Sequence, residues 1–309
     1  AWITPYNEIV TSRSAPILTL LLCLYVLVST SCLARRRVIS RNGGARQTLQ
    51  VADKQALVDR VAETFKAVHD ISATVDMTPA LGSAEKAKIT EYKDVRGYVL
   101  FRKSSDIRII GLYPVVRNKA FDMVSDAEAF KLYIPGRNRF VTGRNEIIEP
   151  SANRIENLRP QHFLEALLVR PPGENEEAVL QNLTDEETAH YILHLLARGP
   201  DGELRLSRSI WFDRGTLALT RQLAFDEAGN ILSDARYREW QNWDGVPFPR
   251  QVEINRPRDE YAVVLRMVKL DINKGLTDEQ FVLEQPAGST LQVLGAKPAA
   301  AVSTARSSR

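Results

Sequence analysis

The feature that most constrains this chain is a period of two. From residue 71 to residue 272 apolar side chains recur at every second position in short runs, and turn residues separate the runs. Residues 71–77 set Ile71, Ala73, Val75 and Met77 against Ser72, Thr74 and Asp76. Residues 203–212 and 216–225 repeat the pattern with Leu204, Leu206, Ile210 and Phe212, then Leu217, Leu219, Leu223 and Phe225. Similar runs fall at 95–103, 106–113, 119–125, 128–134, 138–144, 189–197, 231–240, 248–256 and 260–272. Gly199-Pro200-Asp201-Gly202, Asp213-Arg214-Gly215 and Glu227-Ala228-Gly229-Asn230 mark tight turns between them. Short connections make successive strands antiparallel neighbours. About ten to twelve strands are more than an open sheet carries without curling. The pattern therefore predicts a mainly β (α+β) domain with one antiparallel sheet curled into a barrel or half-barrel.

Two segments break the period. Residues 50–68 carry Leu57, Val61, Phe65 and Val68 at helical spacing. Arg159-Pro160 opens a second short helix, Gln161 to Val169. Both helices have apolar faces that need cover, which places them inside the curve of the sheet.

The N-terminus reads as an address. Arg13 precedes the apolar run 16–28, and Ser29, Thr30, Ser31 and Cys32 follow. The run is short for a membrane span, which needs about 20 apolar residues. Val28-Ser29-Thr30-Ser31-Cys32 resembles a bacterial lipobox, with Ser29 where a leucine is usual. On this reading residues 1–31 are a lipoprotein signal peptide and Cys32 is acylated. The other reading is an uncleaved signal anchor with an incidental cysteine. Residues 32–48 form a flexible basic tether, rich in Arg and Gly. Residues 289–309 read as a disordered tail. The folded domain then spans 49–288.

Charge and cysteine content exclude several classes. The formal charge is +3, but residues 47–286 carry −5 and the basic residues sit in the tails. A nucleic-acid-binding domain shows the opposite distribution. Cys23 and Cys32 are the only cysteines, so the main domain has no disulfide framework and no cysteine metal site. His190 and His194 stand four apart, without the HExxH base and without an obvious third ligand. His69 and His162 stand alone and read as surface or cap residues. No nucleophile elbow, phosphate loop or dinucleotide fingerprint occurs. No cofactor, metal or catalytic residue is expected.

The order of elements, together with several local motifs, resembles the LolA/LolB family of periplasmic lipoprotein carriers and receptors. Gly97-Tyr98-Val99-Leu100-Phe101-Arg102-Lys103 with Asp106-Ile107-Arg108 is similar to that family's second and third strands, although Arg-Pro is usual where Arg102-Lys103 stands. Ser125-Asp126 with Phe130-Lys131-Leu132-Tyr133-Ile134-Pro135 is similar to its next hairpin, with Ala127 replacing a glycine. Asp244-Gly245-Val246-Pro247 resembles a late turn, and Asn273, Phe281, Pro286 and Gly288 resemble its ending. The resemblance covers about residues 50–288. It implies an unclosed β-barrel with a helical lid over an apolar cavity for acyl chains. It also puts Arg102 where an arginine latches the lid in the carrier. From the residues alone, Arg102 is equally a strand arginine facing solvent.

The expected ligands are lipoprotein acyl chains or phospholipid, with the lipid anchor holding the chain to a membrane and other envelope proteins as further partners. Leu33 after the cysteine favours the outer membrane, on the periplasmic face. The lipid-binding candidates are Met77, Leu100, Arg102, Phe163, Leu167, Leu206, Trp211 and Leu219. Core packing and cavity lining need the same apolar residues, so facing decides each of them, as it does for Trp240 and Trp243. The competing reading is a structural envelope lipoprotein whose barrel docks a protein partner.

Overall fold

The computed structural model describes residues 48–83, 88–103, 105–145, 158–185 and 187–294. The signal segment, Cys32 and nearly all of the basic tether lie outside the described residues, as does the tail beyond 294.

Helix α1 (Lys54–Ala67) begins at Asp53, whose carboxylate accepts the Ala56 N–H at 2.8 Å. A long strand β1 (Asp70–Ser83) follows. Next come β2 (Lys88–Glu91), β3 (Val95–Arg102), β4 (Asp106–Leu112), β5 (Lys119–Ser125), β6 (Ala129–Ile134) and β7 (Arg139–Arg144). Helix α2 (Pro160–Leu167) separates these from β8 (Glu176–Thr184), β9 (Ala189–Arg198), β10 (Leu204–Asp213) and β11 (Leu219–Phe225). The chain ends with β12 (Ile231–Trp243), β13 (Val246–Arg256), β14 (Tyr261–Ile272) and β15 (Thr290–Val293).

Among the described residues the strands form one 15-stranded sheet, in the order β15-β7-β6-β5-β4-β3-β1-β14-β13-β12-β11-β10-β9-β8, with β2 paired to β1 off this path. Its two ends do not meet, so the barrel is unclosed. Neighbours are antiparallel except β15, which runs parallel to β7.

Register explains why one face is dry. Leu270, Ala73, Val99, Ile109, Met123, Leu132 and Val141 are successive partners across seven strands, and all are buried. A slip of one residue would turn this whole row to solvent. The other half carries Val263, Ile254, Ala235, Gln222, Ile210 and Leu193 in the same way. Gln222 is the polar member of that row, and α2 lies over it.

The outer face of β3–β7 is covered by the chain after β14. A 3-10 turn, Asp278–Phe281, leads to Leu283, which packs on Val124 and Phe140. Beneath it Asp122 is fully buried and accepts from Arg108 Nε and Nη2 at 2.9 and 2.8 Å, and from Lys119. Arg108 also donates to the Gln280 carbonyl at 2.9 Å, which pins the strap to the sheet. Burial alone would raise the Asp122 carboxyl, but these two cations outweigh it and hold it below its ordinary value.

Four strands depart from the sequence reading, the short β2 among them, whose four residues pair with the end of β1. β1 continues past Met77 because Pro79 falls in the gap between the pairings of β3 and β2, where no ladder needs its missing N–H. β8 was hidden because Ala178, Val179, Leu180 and Leu183 leave no clean alternation. β15 lies within the segment expected as tail: residues 290–293 are ordered by pairing with β7, a long-range contact that composition does not signal.

Near the cleft described below, β13 carries Pro247 and Pro249. There it pairs with β12 only, and β14 joins it from Gln251 onward. The β12–β13 turn is Asp244-Gly245, both at positive φ, the two-residue form that matches strand twist.

The Asp122 cluster yields a direct test. Asp122→Ala strands the Arg108 guanidinium under the strap, and loss of one partner of a buried pair costs about 3–5 kcal/mol. Urea unfolding of the variant should show a loss of that size, with the midpoint lowered.

Candidate functional site

The inside of the curve is occupied by α2. Phe163, Leu164, Ala166 and Leu167 are buried against the sheet. The Tyr237 hydroxyl donates to the Ala166 carbonyl at 2.8 Å, and Gln222 Nε2 reaches the Glu165 carbonyl at 3.5 Å. Pro160 opens the helix without needing an N–H partner. The helix thereby divides the interior into two ends of different chemistry.

At one end lies an apolar cleft of about 810 Å³, bounded by α1, by the residues leaving α2 and by β10–β13. Val61, Phe65, Leu167, Leu219, Phe248 and Trp240 line it, with Arg60, Glu63, Arg238 and Glu239 among the polar residues of its wall. The volume falls within the range of small-molecule sites, about 300–1,000 Å³. Trp240 is fixed by a 2.7 Å hydrogen bond from its indole N–H to the Leu219 carbonyl.

Helix α1 roofs this cleft and is lightly attached. Only Leu57 and Val61 are buried along its 14 residues. Its C-terminal end is held by Asn273, whose Nδ2 donates to the Ala67 carbonyl while its Oδ1 accepts the His69 N–H, both at 2.7 Å. Lys103 Nζ donates to the Phe65 carbonyl and sits 4.0 Å from the Phe65 ring centroid. Burial lowers the Lys103 pKa.

At the other end the interior is polar. Arg208 is buried against Glu176, with Nη2 to Oε2 at 2.5 Å, and it also donates to the carbonyls of Arg170 and Pro171. Burial alone would raise the Glu176 carboxyl, but hydrogen bonds from Arg208 and the Gly173 N–H outweigh it and hold it at about 2. His162 bonds the Tyr261 hydroxyl and Arg256, each at 3.0 Å. Burial, then the charges of Arg256 and Arg159, lowers the His162 pKa well below its ordinary value, so the ring stays neutral. His162, expected as a surface or cap residue, lies inside the barrel because the helix that carries it does.

The eight candidates separate by face. Leu167 and Leu219 line the cleft. Met77 and Phe163 are buried in the packed interior, in the wall and the dividing helix. Leu100 and Arg102 alternate with buried Val99 and Phe101 and so face outward. Arg102 bonds Asp106 at 3.0 and 2.6 Å and the Leu276 carbonyl at 3.3 Å, and lies 5.1 Å from the Phe281 ring centroid. It ties the C-terminal strap rather than the roof helix. Trp211 alternates with inward Ile210 and Phe212 and stacks outside under Arg221. Leu206 pairs with Leu196 beyond a bulge and is half-buried away from the cleft. The bulge is why simple alternation misassigned it.

Sequence reasoning missed Lys103, which appeared only as a departure from the Arg-Pro pattern, and the Arg208–Glu176 pair, which nothing local signals. The rings of His190 and His194 are on the outer face, where His194 bonds Ser209 and Gln181 at 2.9 and 2.8 Å. Among the described residues no three His, Cys, Asp or Glu side chains cluster as a metal site. Nor is any helix among them long and apolar enough to cross a membrane.

No protein-family profile and no curated protein matches the sequence. Solved structures do. A LolA superfamily protein from Nitrosomonas europaea aligns at 13% identity over 75% of this chain and 99% of its own, with a TM-score of 0.48. A DUF1329 family protein from Desulfovibrio piger aligns at 17% identity over 73% and 94%, with a TM-score of 0.50. A domain described as an outer membrane lipoprotein-sorting protein, from Vibrio parahaemolyticus, aligns at 13% identity over 73% and 94%, with a TM-score of 0.48. The chain shares its fold, a single curled and unclosed sheet, with the DUF1329 protein. At 17% identity the likeness is one of architecture, and the chemistry of the interior rests on this chain's own residues.

The polar end makes stability depend on pH in a stated direction. Glu176 has a depressed folded pKa, so its contribution is complete above the ordinary value of 4.5 and is lost as pH falls towards about 2. Its size is on the order of 3 kcal/mol, at 1.36 kcal/mol per unit. His162 acts in the same sense from 6.5 downward, because the unfolded chain takes up its proton first. Unfolding titrations should show stability falling with acid, with Glu176→Gln removing the lower part of the slope and His162→Gln the upper part.

Proposed function

We propose that this chain is an envelope lipoprotein that holds acyl chains, of lipoproteins or of free lipids, in the cleft under α1. The proposal extends to a role in lipoprotein sorting to the outer membrane, on the periplasmic face, with Cys32 as the acylated anchor and residues 1–31 as the removed signal. It binds and releases without a catalytic step. The observation that carries this reading is an 810 Å³ apolar cleft beneath a thinly attached helix. An acyl chain entering it gains about 25 cal/mol per Å² of surface removed from water. Opening the roof costs mainly the unpacking of Leu57 and Val61, about 1.5–3 kcal/mol each, to which the Lys103 contacts add about 0.3–1 kcal/mol at the helix C-terminus and about 0.5–1 kcal/mol for the cation–π contact.

The β4–β5 hairpin supports a membrane-facing role. Its tip, Pro114-Val115-Val116, exposes Val115 by 90% and Val116 by 65%, with Arg117 beside them. Apolar side chains next to cations suit insertion among anionic headgroups.

Lipid extracted from the purified protein and identified by mass spectrometry tests the central claim, together with titration of a fluorescent fatty acid. Phe65→Glu should weaken fatty-acid binding at least about tenfold, while Lys103→Met should speed uptake by loosening the roof. A protein that carries no lipid and takes up no fatty acid refutes the reading. Separately, Val115→Asp/Val116→Asp should reduce binding to vesicles containing phosphatidylglycerol and leave fatty-acid affinity unchanged.

A further inference from the structure

The two ends of the sheet are finished differently. At one end β15 runs along β7, so the chain supplies its own covering strand. At the other, β8 touches α1, and Arg214 donates to the Asn182 and Thr184 side chains, but the strand's main chain has no partner on its outer edge among the described residues. Among the described residues the backbone of Glu177–Thr184 bonds only to β9. This edge is nine residues long, contains no Pro or Lys, and keeps a continuous register with β9. Protected edges are usually shortened, bulged or given lysines, because an unpaired strand is a template for another. Val179 and Leu183 are 49% and 37% exposed along it, with Gln181 between them on the same face.

Charge selects the occupant. Between Arg170 and Arg198 the sequence has no Lys or Arg and six acids: Glu174, Glu176, Glu177, Asp185, Glu186 and Glu187. Glu176 is consumed by Arg208, and Asp185 accepts the N–H groups of its own turn. Glu174 and Glu177 remain exposed at the start of the strand and Glu187 beyond its end. A second copy of this chain would bring the same acids to the same edge, a like-charge juxtaposition that disfavours pairing.

We propose that β8 is a docking edge for an extended segment of a partner protein, with alternating apolar residues flanked by Lys or Arg, added as a further strand. Main-chain hydrogen bonds give the affinity, Val179 and Leu183 accept alternate side chains, and the flanking acids fix the choice of partner. The docking edge needs only the main chain of β8 and its flanking acids, so failure of lipid binding leaves this proposal intact.

The test uses the intact chain and a synthetic peptide of alternating valine and threonine, flanked at each end by a pair of arginines. Calorimetry should show binding that weakens as NaCl rises from about 50 to about 300 mM. Hydrogen exchange should slow for amides within Glu177–Thr184. The triple variant Glu174→Lys/Glu177→Lys/Glu187→Lys, altered only at exposed positions, should lose at least about tenfold in affinity. Methylating alternate amides of the peptide should abolish binding. Absence of binding, equal binding of the methylated peptide, or self-association through β8 in place of peptide binding would each overturn the proposal.

Discussion

Everything in this domain follows from a sheet too wide to stay flat and dry on one face only. Its inward rows, from Val141 to Leu270 and from Val263 to Leu193, are apolar except at Gln222, and such a surface must be removed from water. Curling alone leaves a hollow. Helix α2 fills the middle of that hollow, and its backbone carbonyls are met by Tyr237 and Gln222 from the sheet. The dividing helix is thus held by hydrogen bonds whose donors come from the wall. What remains on either side of it is what the protein has to work with.

Those remainders differ because of which side chains the wall turns inward. Towards the Trp240 end the lining is mostly apolar, and the hollow is an open cleft. Towards the Arg256 end the inward positions are Arg208, Arg256 and Tyr261, and each finds a fixed partner in Glu176, Asp259 or His162. Buried charges are tolerated only when paired and hydrogen-bonded. The polar end is therefore a set of mutual commitments, and the apolar end is uncommitted. An acyl-binding role belongs naturally to the second.

How much of this was legible in the sequence depended on the range of the interaction. Period two announced the strands, and helical spacing announced α1, because both are local. The unclosed barrel came from the order of elements and from motifs such as Asp244-Gly245 and Asn273. Side-chain facing was harder. Leu167 and Leu219 were within reach of pattern reasoning, whereas Leu206 lay beyond a bulge that shifts the alternation by one. The resemblance put Arg102 where an arginine latches the lid, and the residues alone left it equally an outward strand arginine; it faces outward and ties the strap, since the outer face of β3 is covered from residue 276 onward. The partner of α1 is the next residue, Lys103. No local pattern distinguishes the last cation of a strand from the next one in its turn.

The prolines of β13 have a consequence for the shape of the cleft. Where Pro247 and Pro249 stand, β12 and β13 continue as an isolated two-stranded ribbon, forked away from β14 at Gln251. A ribbon of two strands has little stability of its own. The wall bearing Trp240 and Phe248 thus has fewer ladder bonds than the rest of β13, with Trp240 tied back to the Leu219 carbonyl, and it borders the space that a ligand would fill. In the proposed acyl-binding role, chains of differing girth would press first on this flap. Tolerance for varied cargo would then reside in the sheet itself, written there by two residues that cannot donate a hydrogen bond.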